Sequence, residues 1–200
     1  MIVIHAYLFE AKSIQAYLFR SGRVRDIIAA SERLDRLVDS HESSTLFQVL
    51  NAAGLNSDLL DASQPGQPGL IRFLRCKGGA FYAYCETREP LVKLRALWTL
   101  TLPQMFPTLD WVDALTNGAT LPEAITAGHA ELAADRNTPT IKLPIAPTVA
   151  DYYRRTGAVA EQMTELARCA SAGEEAKENA DSHLDGDIIR HREAYGTSEK

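Results

Sequence analysis

Glu10 and the run Lys77-Gly78-Gly79-Ala80-Phe81 are the places in this sequence where phosphate chemistry could occur. Two-metal phosphoryl transfer needs oxygen ligands, usually carboxylates, that clamp two divalent ions against the attacking and leaving oxygens. One class of such enzymes, the palm-type cyclases and polymerases, places those carboxylates on a first strand and on the hairpin between the second and third. Here Glu10 follows the first apolar run, but Ala80 and Phe81 offer no oxygen at the hairpin. One carboxylate does not build a two-metal site, so the sequence predicts no catalytic residue and no metal ligand. Gly78-Gly79 has two readings: a tight hairpin turn, or a stretch of backbone that a nucleotide can approach closely.

The same segment supports a second chemistry. Lys77-Gly78-Gly79-Ala80-Phe81-Tyr82-Ala83-Tyr84 partly fits an RNA-recognition strand pattern, departing from it at Gly79 and Tyr82. Tyr82 and Tyr84 share one face of their strand, and Tyr7 and Phe9 are expected to add rings from the first strand, so that unpaired bases could stack. The alternative is that these are ordinary strand aromatics packed on a helix. Arg20, Arg23 and Arg25 cluster at the entry to a helix, where an anion would be favoured. None of the five histidines pairs with a second His or a Cys at a metal spacing, and no nucleophile elbow, phosphate loop or dinucleotide fingerprint is present.

The elements that must position these residues follow from periodicity. Ile2 to Phe9 reads as a buried strand, and Ser13–Phe19 as a turn or short helix. A helix is expected over 23–40, with Val24, Ile27, Ile28, Leu34, Leu37 and Val38 as its buried stripe. Thr45 to Leu50 adds a turn or two of helix, and 63–69 is a Pro/Gly loop. Strands over 70–76 and 80–86 flank Gly78-Gly79. A helix opens at Pro90 and is expected to end at Pro103, and a last strand covers 109–115. The order is β-α-β-β-α-β, the split-βαβ pattern. It predicts an antiparallel four-stranded sheet with both long helices on one face. Thr120-Leu121-Pro122-Glu123 then fits a capping box opening a helix to about residue 134. Beyond Ala150 the pattern is weakly helical, and after Ser171 it is polar.

Bulk properties narrow the class. Two hundred residues, 46% of them hydrophobic, suffice for one sizeable core. A net charge of −5 does not mark a general nucleic-acid binder. Three cysteines, an odd count without a C-x-x-C pair, predict reduced thiols and a cytoplasmic protein. No apolar run reaches the ~18 residues of a membrane span, so no membrane partner is expected.

The stretch Phe9-Glu10-Ala11-Lys12-Ser13-Ile14-Gln15-Ala16-Tyr17-Leu18-Phe19, followed by Gly22-Arg23-Val24-Arg25-Asp26-Ile27-Ile28-Ala29-Ala30-Ser31, resembles the large subunit of type III CRISPR effector complexes. That family has a strand, an Ile-Gln-x-Tyr-x-Phe turn, and a helix beginning Leu-Arg-Asp-Ile-Ile-x-x-Ser. Lys77-Gly78-Gly79-Ala80-Phe81 looks like the glycine hairpin of the family's first palm, and Thr156-Gly157-Ala158-Val159-Ala160 faintly resembles the segment after it. Members often carry cysteine zinc ligands there; cysteines are absent around 151–155.

The resemblance implies an α+β, ferredoxin-like βαββαβ palm over 1–118 and a helical extension with a polar tail over 119–200. It implies a non-catalytic palm that contributes to complex assembly and antiviral defence and forms one wall of an ATP pocket. Glu10, Gln15, Arg23, Arg25, Ser31, Lys77, Gly78 and Gly79 would border that nucleotide, with Ser31 close to Gly78-Gly79. The implied partners are other effector subunits, a second palm, and crRNA or target RNA reached through the complex. No cofactor is expected to be tightly held. Because the family's nuclease domain and second palm are not matched, the chain is expected to be a fragment, a split subunit or a reduced relative. Two other readings stand beside this one: a free-standing single-stranded RNA-binding module using Tyr82 and Tyr84, and a degenerate cyclase-like domain that binds a nucleotide without turning it over.

Overall fold

The computed structural model describes residues 3–140, 160–162, 183–185, 188–190 and 193. The elements are β1 (Ile4–Lys12), α1 (Ile14–Leu18), α2 (Val24–Val38), α3 (Thr45–Ala52), β2 (Arg72–Lys77), β3 (Ala80–Cys85), α4 (Glu89–Met105), β4 (Asp110–Gly118), α5 (Leu121–Asp135), β5 (Ala160–Gln162) and β6 (His183–Asp185). The chain is α+β and divides into two compact units. One unit holds β1, residues 34–105 and residues 109–140; the other holds residues 14–33, residues 106–108 and the described C-terminal residues.

In the first unit, four antiparallel strands form a sheet in the order β2-β3-β1-β4. Central β1 buries four consecutive residues, Ala6, Tyr7, Leu8 and Phe9. Consecutive burial on a strand means that both faces of the sheet are covered, because neighbouring side chains point opposite ways. Tyr7 and Phe9 face α4. The Phe9 ring stacks on Phe81 with centroids 5.4 Å apart and meets Trp98 of α4 edge-on at 5.3 Å. Leu34, near the end of α2, reaches Gly79 beside Ala11, which has the parity of Phe9. Leu34, in the part of α2 that belongs to this unit, and helix α4 therefore both meet the Phe9 face. On that face Arg95 of α4 also grips Asp113 of β4 through Nε at 2.6 Å and Nη2 at 3.3 Å.

The opposite face carries Ala6, Leu8, Val112 and Ala114, packed against Ala124 and Leu132 of α5. Helix α5 starts as its capping box predicts. The Thr120 hydroxyl accepts from Glu123 N, and the Glu123 carboxylate accepts from Ala119 N at 3.0 Å. Gly128 lets the helix lie close: a Cβ there would sit 2.8 Å from both δ-methyls of Leu8. The sequence reading sets this helix apart from the sheet, whereas it forms the layer over β1 and β4.

Several expectations are corrected. Helix α4 continues through Pro103 to Met105. A proline near a helix end removes a single ladder bond, and the Gln104 side-chain amide donates to Leu100 O at 2.9 Å in that last turn. Helix α2 buries Asp26, Ala29, Ala30, Arg33, Leu34, Leu37 and Val38, while Val24 and Ile28 are 73% and 51% exposed. Ile28 lies six residues from Leu34, which at 3.6 residues per turn turns it about 120° away from the buried stripe. In the second unit, Arg33 stands over the Phe106 ring at 4.5 Å, so the stripe there is closed by a cation on an aromatic face and not by a branched aliphatic. Residues 160–162 and 183–185 pair as antiparallel strands where weak helix was expected. Most of the expected extension, including 156–159, lies outside the described residues.

Candidate functional site

Glu10 pairs directly with Ala80 in the β1–β3 ladder, and Lys77 pairs with Ala80 across the hairpin. The two positions weighed as carboxylate sites in the sequence are thus neighbours, and one of them carries only a methyl group. Gly78 and Gly79 have φ of 62° and 73°. Two successive positive φ values make a two-residue turn whose twist matches the strands, so the tight-turn reading accounts for both glycines. Gly79 is also packed: a Cβ there would lie 3.1 Å from Ala11 Cβ and 3.3 Å from Leu34 Cδ1.

The Glu10 carboxylate is engaged by the protein itself. One oxygen accepts a hydrogen bond from the Tyr82 hydroxyl, and the other accepts from Arg136 Nη2 at 3.1 Å. Lys12 Nζ donates to the carbonyls of Arg136, at 3.2 Å, and Thr138, beyond the last turn of α5. A lysine there satisfies carbonyls that have no intrahelical partner. Glu10 and Lys12 therefore fasten the end of α5 to the end of β1. A cleft of about 370 Å³ beside them is lined by Glu10, Lys12, Ser13, Arg136 and Asn137, with Ser13 in the left-handed conformation at φ 55°. Burial pushes the Tyr82 phenol above its ordinary pKa, and the bond to Glu10 and the charge of Glu10 push the same way, against Arg75.

The expected ring platform is not assembled. Tyr82 pairs with Leu8 and Tyr84 with Ala6, so both tyrosines lie on the α5 side of the sheet. Tyr7 and Phe9 lie on the other side, fully buried. The strand parity separates the rings that the sequence reading puts together. Tyr82 is further occupied by the edge of His129 at 5.0 Å and by the Arg75 guanidinium 5.4 Å from its ring centre. Tyr84 is half-buried and borders a second cleft of about 340 Å³ with Pro68, Arg72 and Glu86.

The remaining expected nucleotide contacts belong to the second unit. Gln15 and Ser31 are exposed, on α1 and α2, and Arg23 and Arg25 are half-buried at the start of α2. Ser21 Oγ accepts from Arg23 N at 3.2 Å and so orders the entry to that helix. Among the described residues no group of three or more His, Cys, Asp or Glu side chains is arranged to hold a metal. No described helix is long and apolar enough to cross a membrane.

Sequence reasoning missed Arg72 and Arg75 as partners of the tyrosines. Arg72 pairs with Tyr84 and Arg75 with Tyr82, with a register shift between Phe73 and Arg75. Leu74 is the extra residue of that bulge and is 51% exposed. The adjacent apolar pair Phe73-Leu74, followed at once by Arg75, is the sequence signal: it breaks strict alternation.

Compared with known proteins, the chain matches no family model and no curated sequence.

Proposed function

We propose that this chain is a non-catalytic palm related to the large subunit of type III CRISPR effector complexes, acting in the cytoplasm as an assembly partner for a second palm. The ferredoxin-like βαββαβ connectivity belongs to the proposal. It is supported by the sheet order β2-β3-β1-β4 and by helices in the β1–β2 and β3–β4 connections.

One observation carries the functional reading. The end of β1 pairs with the glycine hairpin at Glu10 and Ala80, and the Glu10 carboxylate is tied to Tyr82 and Arg136. A scaffold that keeps the palm layout while its carboxylate anchors a helix suits a structural wall better than a reaction centre. In such a complex the chain would contact crRNA or target RNA alongside other subunits, and ATP at a pocket completed by the second palm.

The test is affinity capture of the tagged full chain from cells that carry a type III locus, followed by sequencing of bound RNA and mass spectrometry of bound protein. Repeat-derived guide RNA together with effector subunits is the expected result. Recovery of the chain without either would overturn the proposal.

A further inference from the structure

We infer that the face of the β2–β3 ribbon beside α5 is a binding surface for single-stranded nucleic acid, with Tyr84 as the stacking ring and Arg75 and Lys77 as the phosphate contacts. This does not rest on the palm assignment, and it differs from the four-ring platform, which strand parity rules out.

The argument begins with the bulge. Arg72 and Arg75 are three residues apart, so regular alternation would point them to opposite faces. The extra residue at Leu74 shifts the register and returns Arg75 to the face of Arg72. Lys77, two residues further on, pairs with Ala80, which has the parity of Tyr82. Three cations and two tyrosines therefore share one face of a two-stranded ribbon, as the cross-strand pairs Arg72–Tyr84, Arg75–Tyr82 and Lys77–Ala80. Helix α5 covers β1 and β4 on this face. Its His129 reaches as far as the edge of Tyr82, while Arg75 and Lys77 are exposed and Tyr84 is half-buried at the rim of the 340 Å³ cleft.

Charge decides the class of ligand. Among the described residues, Glu10, Asp58 and Glu86 are acids that touch this ribbon's side chains or line its cleft. Glu10 is paired with Arg136 at 3.1 Å. Asp58 is buried, 3.6 Å from Arg72, and accepts from Phe73 N at 2.8 Å. Glu86 is exposed and lines the same cleft as Tyr84 and Arg72. Arg75 Nη1 donates to the Tyr82 hydroxyl at 3.4 Å and its guanidinium carbon lies 5.4 Å from the Tyr82 ring centre, so that the exposed side chain is steadied at one end of the ribbon. An aromatic face beside spaced cations is the arrangement that takes unpaired bases and their backbone.

The experiment is fluorescence anisotropy of the full chain with labelled oligouridine and its deoxy counterpart, each about 12 nucleotides long, within the range of site sizes of such surfaces. Both strands are expected to bind at low salt. Arg75→Ala with Lys77→Ala should weaken binding about tenfold or more and flatten the salt dependence by about 0.7 in slope for each phosphate no longer neutralised. Tyr84→Leu should weaken binding, and Tyr84→Phe should preserve it, because stacking needs the ring and not the hydroxyl. Lys77→Glu, at an exposed hairpin residue, repeats the charge test where folding is not at risk. No binding at low salt, equal binding by the charge variants, or equally tight binding of duplex RNA would each overturn the inference.

Discussion

Glu10 stands directly opposite Ala80 across the β1–β3 ladder. The pairing fixes what this hairpin can hold: one carboxylate, already bonded to Tyr82 and Arg136, facing a methyl group. Phosphoryl transfer draws most of its acceleration from positioned metals and charge stabilisation. The chain alone is therefore expected to make no cyclic nucleotide or oligonucleotide from ATP. Incubation with ATP and Mg²⁺ or Mn²⁺, read by mass spectrometry, checks this. Product above background that disappears in Glu10→Ala would show the site to be active.

The contact of Gly128 with Leu8 makes a second prediction. Gly128→Ala places a Cβ 2.8 Å from both δ-methyls of a fully buried leucine. Alanine gains about 1 kcal/mol of helix propensity over glycine. Overpacking a filled core costs about 1–3 kcal/mol. Steric cost should win, and urea denaturation should report a net loss of up to about 2 kcal/mol. A stabilised variant would mean that α5 lies further from the sheet.

Much of this layout is legible in the sequence. The hairpin follows from Gly-Gly between two β-rich runs, and the α5 start from Thr120 and Glu123 three residues apart. What escapes it are features set by tertiary context. Strand parity places Tyr7 and Phe9 opposite Tyr82 and Tyr84 only once register is known. The Phe73-Leu74 pair breaks alternation in the sequence, but only the register shows that it returns Arg75 to the face of Arg72. Arg136 reaches Glu10 across 126 positions of chain, and no local pattern announces such a pair. The α2 stripe holds at Leu34, Leu37 and Val38 but misleads at its start, where the large, branched Val24 and Ile28 are exposed and the small Ala29 and Ala30 and the charged Asp26 and Arg33 are buried.

That difference yields a direct test of helix phase. Leu37 is fully buried, and Ile28 is 51% exposed. Leu37→Ala should cost about 2–5 kcal/mol through lost transfer energy and a residual cavity. Ile28→Ala should cost less than about 0.5 kcal/mol. Chemical denaturation of the two variants under one set of conditions separates them. A larger loss at Ile28 would restore the stripe read from the sequence.

Two shielded weak acids predict the alkaline limit of the fold. Burial holds the Tyr7 phenol well above its ordinary pKa, and the Asp113 charge adds to this. Burial also pushes the Cys76 thiol up to about 12, with Asp58 and Asp39 acting in the same direction. In the unfolded chain these groups ionise near their ordinary values, about 10 for tyrosine and about 8.5 for cysteine. Between the unfolded and folded values, the unfolded chain has released protons that the folded chain retains, so stability falls as pH rises. Below about pH 8 both contributions are fully present. The urea midpoint should therefore decline from about pH 9 upward. Cys76→Ala should flatten the decline at its lower end, and Tyr7→Phe the part above about pH 10. Midpoints measured across this range for the three proteins give the answer. Parallel profiles would show that neither group is shielded by the core.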